Sequence, residues 1–192
     1  MGRLVYAALC SLDGYTVDAS GDFTWAAPDD EVHAFVNDLE RPVGTYLYGR
    51  RMWETMRVWQ TWGDAPDEDP VVRDYAAVWR AADKVVYSST LTDVDVPGTR
   101  LERAFDPVAV RAMVDAGDHD VSIGGPTLAG QALLAGIVDE VHLFLSPVAV
   151  GGGTPALSLL PSGRRLPLAL VGVDVFDGGT VHLHYHPDSS AS

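Results

Sequence analysis

Along the chain, short apolar runs alternate with stretches of helical spacing. Residues 4–9 form an apolar run of strand formers, and Asp13-Gly14 after it is a turn signal. Residues 15–18 extend it briefly, and Gly21-Asp22-Phe23-Thr24-Trp25 reads as loop. Pro28-Asp29-Asp30-Glu31 opens a helix, because acidic groups in a first turn complement the helix dipole. Val32, Phe35, Val36 and Leu39 recur there as one buried stripe. Residues 45–48 predict a second strand, stopped by Gly49, with a helix directly after it at 50–56. Residues 59–70 are acidic, with two prolines, a glycine and two tryptophans, and predict an exposed, mobile loop. A helix follows over 71–82, with Tyr75, Val78 and Trp79 on one side.

Residues 84–88 predict a third strand and 99–102 a weaker one. Asp106-Pro107 then caps a helix through about 114, aspartate at the N-cap and proline at the first helical position. Residues 121–123 are a strand, 126–135 a helix closed by Gly136, and 140–146 a strand. Residues 168–176 and 180–186 pair as a hairpin across Asp177-Gly178-Gly179. The alternation predicts an α/β fold with a mostly parallel sheet, helices on both faces and C-terminal antiparallel strands. Residues 1–186 read as a single domain and 187–192 as a disordered polar tail.

Charge changes the picture of partners. Thirteen basic residues against 27 acidic leave a net charge of −14, which disfavours nucleic acid and anionic membranes. It does not forbid an anionic cofactor, since backbone N–H groups and one or two arginines capture phosphate locally. A single cysteine, Cys10, makes no internal disulfide, which fits a cytoplasmic protein. No apolar run reaches a membrane-spanning length, and the first residues do not resemble a signal peptide.

Three strand ends carry candidate chemistry. Val121-Ser122-Ile123-Gly124-Gly125-Pro126-Thr127 is a strand-to-helix junction whose glycines admit close approach and whose helix start offers free N–H groups to a phosphate. A tight turn without a ligand explains the same residues. Tyr48-Gly49-Arg50-Arg51 adds two guanidiniums at another helix start, or a solvated basic end. Ser88, Ser89 and Thr90 put hydroxyls after a third strand, or merely form a polar loop. Ligands of open α/β sheets gather at the carboxyl ends of strands, so the three together favour a dinucleotide.

The order of Ser11-Leu12-Asp13-Gly14, Leu47-Tyr48-Gly49-Arg50-Arg51-Met52-Trp53-Glu54, Val86-Tyr87-Ser88-Ser89-Thr90-Leu91, Ile123-Gly124-Gly125-Pro126-Thr127-Leu128 and Val150-Gly151-Gly152-Gly153-Thr154-Pro155 resembles the dihydrofolate-reductase-like superfamily. The match is closest to its RibD C-terminal family of riboflavin-biosynthesis reductases. The resemblance implies an NADPH-dependent reductase acting on 5-amino-6-(5-phosphoribosylamino)uracil. A pteridine or dihydrofolate reductase, or a non-enzymatic nucleotide-binding dimer, are the alternatives. By the resemblance, Gly49, Arg50 and Arg51 meet cofactor phosphate, and Ser88, Ser89 and Thr90 lie near the adenosine 2′-phosphate. Gly124, Gly125, Thr127 and Leu128 wrap the pyrophosphate, across a cis Gly124–Gly125 bond. The chain departs from the family at Met52, where relatives carry threonine, and at Ser89, where many carry arginine. It has no Cys-x-x-Cys and no His-x-Glu, so it lacks the zinc deaminase half found in fused enzymes. The expected partner set is a small-molecule substrate and a second copy in a homodimer.

Substrate-side candidates are fewer. Asp13 is the candidate catalytic residue, positioning or protonating substrate, or else only a turn aspartate. Trp25 borders the substrate pocket or anchors packing. Asp30, Glu31 and Asp38 lie on the helix that supplies the pterin-binding acid in dihydrofolate reductases. His182, His184 and His186 alternate on one strand face. With Val181, Leu183 and Tyr185 toward the core, the histidines are expected to face solvent or a dimer partner, and no metal site is assigned.

Overall fold

The computed structural model describes residues 1–65, 67–158 and 165–188. Its strands in chain order are β1 (Leu4–Ser11), β2 (Tyr15–Asp18), β3 (Val43–Gly49), β4 (Asp83–Tyr87), β5 (Thr99–Glu102), β6 (Asp120–Gly124), β7 (Glu140–Ser146), β8 (Gly153–Pro155), β9 (Leu168–Val175) and β10 (Val181–Pro187). The α-helices are α1 (Asp30–Glu40), α2 (Arg50–Met56), α3 (Pro70–Ala81), α4 (Pro107–Ala116) and α5 (Pro126–Leu134). Eight strands form one sheet in the order β5-β4-β3-β6-β1-β7-β10-β9, while β2 and β8 pair separately. From β5 to β7 every pairing is parallel, and β10 runs antiparallel to both β7 and β9. This is the mostly parallel sheet with C-terminal antiparallel strands that the hydrophobic pattern predicts.

Alternation along the strands decides the layers. On β3, Leu47 joins a core with Val110 and Val114 of α4 and Leu128, Ala129, Ala132 and Leu133 of α5. Its neighbours Tyr46 and Tyr48 point the other way, against Trp53 of α2 and Tyr75 and Trp79 of α3. Adjacent strand residues emerge on opposite faces, so one strand feeds both cores. Val32 and Phe35 of α1 extend the second layer over Phe144 of β7 and Phe176. Aspartates cap α1, α3 and α4: Asp29 accepts from Val32 N, Asp69 from Val71 N and Asp106 from Val108 N, each at 2.9 Å.

Three local expectations change. Residues 57–60 form a 3₁₀ turn, so the first half of the predicted mobile loop is anchored. Trp59 stacks on Trp62 at 4.7 Å and meets Tyr75 edge-on at 4.6 Å. Arg80 bonds the carbonyls of Trp59 and Trp62 and pairs with Asp64 at 3.0 Å. Aromatic stacking and a guanidinium thus outweigh the loop-forming composition. Second, Thr24–Ala26 is a short 3₁₀ turn packed against β1 rather than plain loop. Third, Pro187 lies in β10, and Asp188 N–H donates to Pro167 O at 2.9 Å, so the last strand continues past residue 186. The remainder of the predicted tail, 189–192, lies outside the described residues.

Candidate functional site

Four neighbouring parallel strands, β4, β3, β6 and β1, end along the same side of the sheet. The register sets Tyr87 beside Gly49 and Tyr48 beside Gly124. The segments following β4, β3 and β6 are Ser88-Ser89-Thr90, Arg50-Arg51 and Gly125-Pro126-Thr127. All three predicted cofactor segments are therefore brought together, and Asp13 follows β1 next to them.

At β6, a Cβ on Gly124 would lie 2.7 Å from the buried Tyr48 ring and 3.2 Å from Met52 Cγ. Gly125 sits at φ 91°, a conformation that side chains resist. Met52 is thus the apolar wall against which both glycines pack. Gly125 caps α5 without a side-chain bond, and Pro126 occupies the first helical position. The N–H groups of Thr127 and Leu128 then have no acceptor inside the helix and lie at its positive end. Thr127 is exposed, whereas Leu128 has its side chain in the core and offers only its backbone. The Gly124–Gly125 bond is trans: among the described residues no peptide bond is cis. The positive φ of Gly125 makes the turn without it.

At β3 and β4, Arg50 bridges the two strand ends, with Nη1 donating to Thr90 Oγ1 at 3.2 Å and Nε to Glu54 at 2.8 Å. Ser88 is buried and turns its hydroxyl inward, accepting from the N–H groups of Thr90 and Leu91. Ser89, Thr90 and Arg51 are exposed. Sequence reasoning missed Arg103, whose guanidinium donates to the carbonyls of Ser88 and Leu91 and so ties the hydroxyl loop to the residue after β5. Its separation from the strand-end motifs hid it, and only the β4–β5 pairing reveals it.

Asp13 is locked. Its carboxylate accepts from Ser11 Oγ at 2.6 Å, Gly151 N at 2.7 Å and Val150 N at 3.1 Å. The Ser11 hydroxyl, then the Gly151 and Val150 amides, hold its acid below the usual carboxylate range. It is therefore ionised at neutral pH and suits positioning rather than proton donation. Trp25 is half-buried, with Nε1 donating to Asp22 O at 3.1 Å. On α1, Glu31 accepts from Asp177 N and Asp38 pairs with Arg41, while Asp30 is exposed. The acid buried from that helix is Glu40, at its far end, pushed up to about 7 by desolvation.

The histidine stripe departs from expectation at His182, which is buried, and in part at His184, whereas His186 is exposed as expected. β10 is covered on both faces, Tyr185 reaching the α4–α5 core while His182 is buried at 3% exposure against Phe35 and Phe144. A hydrogen-bonded line runs from Asp174 to His182 (2.9 Å), His142 (2.9 Å) and Glu140 (3.3 Å). Burial pushes the His142 imidazole down to about 4. Glu140 lies below the ordinary carboxylate range, the bonds from His142 and Arg3 overcoming the desolvation that opposes them.

A family model described as the RibD C-terminal domain matches residues 3–182. The chain belongs to that family. It is 24% identical over 187 residues to the uncharacterized protein YyaP of Bacillus subtilis, covering 96% of this chain and 94% of that one. A putative riboflavin biosynthesis protein from Shewanella sp. PV-4 superposes with a TM-score of 0.73 at 22% identity, covering 97% of this chain and 99% of the other. The bifunctional diaminohydroxyphosphoribosylaminopyrimidine deaminase/5-amino-6-(5-phosphoribosylamino)uracil reductase of Thermotoga maritima gives 0.68 at 16% identity, over 97% of this chain but 57% of its own. Dihydrofolate reductase from Enterococcus faecalis, solved with NADP(H), gives 0.64 at 14% identity over 98% of both chains. The RibD C-terminal domain protein described here thus has the dihydrofolate-reductase-like fold. Among its described residues, no helix is long and apolar enough to cross a membrane.

Proposed function

We propose that this protein is an NADPH-dependent reductase of the riboflavin pathway, acting on 5-amino-6-(5-phosphoribosylamino)uracil or a close relative. The observation that carries the reading is the convergence of Gly49-Arg50-Arg51, Ser88-Ser89-Thr90 and Gly124-Gly125-Thr127-Leu128 on adjacent parallel strand ends. The glycine pair packs against Tyr48 and Met52 and makes the turn into the uncapped start of α5, whose free N–H groups fit a pyrophosphate. Arg50, already in contact with Thr90, takes the part that arginine plays at the Ser89 position in relatives, and favours a 2′-phosphate.

Such a cofactor supplies a hydride when bound, so the protein needs to position and shield rather than to attack. Thr127 and Leu128 bind through their amides, Arg50 and Arg51 through charge. Arg103 holds the hydroxyl loop in shape. Ionised Asp13 fixes the Val150-Gly151 turn beside β1 and orients the substrate, with Trp25 bordering the same side. We take the working form to be a cytoplasmic homodimer. Following NADPH and NADH consumption with the phosphoribosylaminouracil and with dihydrofolate tests the reading. Turnover of the former with NADPH is expected; turnover of dihydrofolate alone favours a pteridine reductase, nucleotide binding without turnover of either favours the non-enzymatic nucleotide-binding protein, and failure to bind either nucleotide overturns both reductase readings.

A further inference from the structure

We propose that Glu140, His184 and His186 form a binding site for a divalent transition metal, zinc by preference, on the face of the sheet toward α1. The site lies at the start of β7 and the end of β10, the opposite end of the sheet from the proposed cofactor edge. Its donor atoms all fall within 4.8 Å of one another. His184 Nε2 stands 3.6 Å from Glu140 Oε2, and His186 Nε2 stands 3.7 Å from Glu140 Oε1. Both are too long for hydrogen bonds. They are close to the separation of about 3.4 Å between donors on a tetrahedral zinc ion with bonds of about 2.1 Å.

A second observation points to a ligand for this cluster. His184 Nε2 is buried and has no hydrogen-bond partner, although burying an unpaired polar nitrogen is costly. An ion between it and the carboxylate satisfies that lone pair. The surroundings are built as a metal site's outer shell is built. Glu140 is oriented by Arg3 Nη1 at 2.7 Å and by His142 Nε2 at 3.3 Å, and His142 in turn by His182. The charge also suits a cation. Arg3 is shared between Asp120 and Glu140, so one guanidinium faces two carboxylates. Two imidazoles and a carboxylate are donors of the type that zinc takes. His186 is half exposed, which leaves the ion a path from solvent and an open position for water.

The bound ion would tie β10 to the first residue of β7. The test uses the full chain, stripped with a chelator and titrated with Zn²⁺ by calorimetry and with Co²⁺ by its visible absorption. One ion per chain is expected, with a higher melting temperature on zinc addition. H186A, an exposed position that should keep the fold, and H184A each weaken binding by at least about tenfold. H119A, at an exposed histidine elsewhere, leaves it unchanged. Wild-type binding no tighter than that of the H184A/H186A double variant, or a melting shift that survives in that variant, overturns the proposal. The outcome is independent of the reductase reading, because no cofactor or substrate enters the measurement.

Discussion

The strand-end edge and the α1-covered face treat polar groups in opposite ways. At the edge, Arg51, Ser89, Thr90 and Thr127 are exposed, and the first turn of α5 keeps donors without a cap. Under α1, Glu40, Ser122, His142 and His182 are buried and mostly bonded to one another. The edge leaves its polar groups exposed, whereas the covered face bonds most of its own internally and leaves a few, Glu40 Oε2 and His184 Nε2 among them, buried without a partner. Richness in titratable groups therefore does not by itself mark the end of this sheet proposed to take the cofactor. What marks it is polar groups left available on a rigid frame.

The largest expected effect lies in the covered face. Glu40 is buried beside Ser122, which donates to Oε1 at 3.4 Å, and its other oxygen has no partner. Its folded-state pKa, about 7, stands above the ordinary glutamate value of 4.5. The favourable protonated form is therefore fully present below about pH 4.5, and stability is lost as pH rises toward 7 and beyond. E40Q should remove a cost of about 3 kcal/mol at pH 8 and change little at pH 4.5. Urea unfolding at both pH values checks this; an unchanged pH dependence would show that the covered face tolerates the charge.

Next is the wall of the edge. G124A drives a methyl group into Tyr48 and Met52, and Tyr48 is buried with its hydroxyl accepting from Trp79 Nε1 at 3.1 Å. Overpacking of this kind should cost about 2 kcal/mol in unfolding experiments and weaken NADPH binding as well. A smaller effect is expected at Arg50: R50A should raise KM for NADPH about tenfold and leave KM for NADH nearly unchanged. Equal losses for both nucleotides would mean that Arg50 does not read the 2′-phosphate. The smallest is D13N, which should leave the pH profile of kcat unaltered because the native carboxylate is already ionised. A fall of about 100-fold or more, the signature of a lost general acid, would return Asp13 to proton transfer.

Much of the edge was legible because its signals are local. Gly49, Gly124 and Gly125 end apolar runs, and Pro126 and Arg50 open helices, so each motif shows its place in a few neighbouring residues. Arg103 and Asp13 were harder. Arg103 reaches the hydroxyl loop only because β5 pairs with β4, and the ties of Asp13 to Val150 and Gly151 span more than 130 residues. The histidines show the limit of period-two reasoning. Alternation correctly separated His182, His184 and His186 from Leu183 and Tyr185, but it cannot say which faces are covered.

Local sequence specifies the elements, their alternation, and the three polar strand ends, because propensity, capping and turn chemistry act over a few residues. It also carried the order of motifs by which the family is recognised. Tertiary structure alone decided that α1 lies over β10, that Glu140 meets His184 and His186, and that Asp13 closes a distant turn. Those contacts depend on strand order and on which helix covers which face. Both are settled by how the whole set of apolar surfaces is buried at once, and no single segment of the chain encodes that.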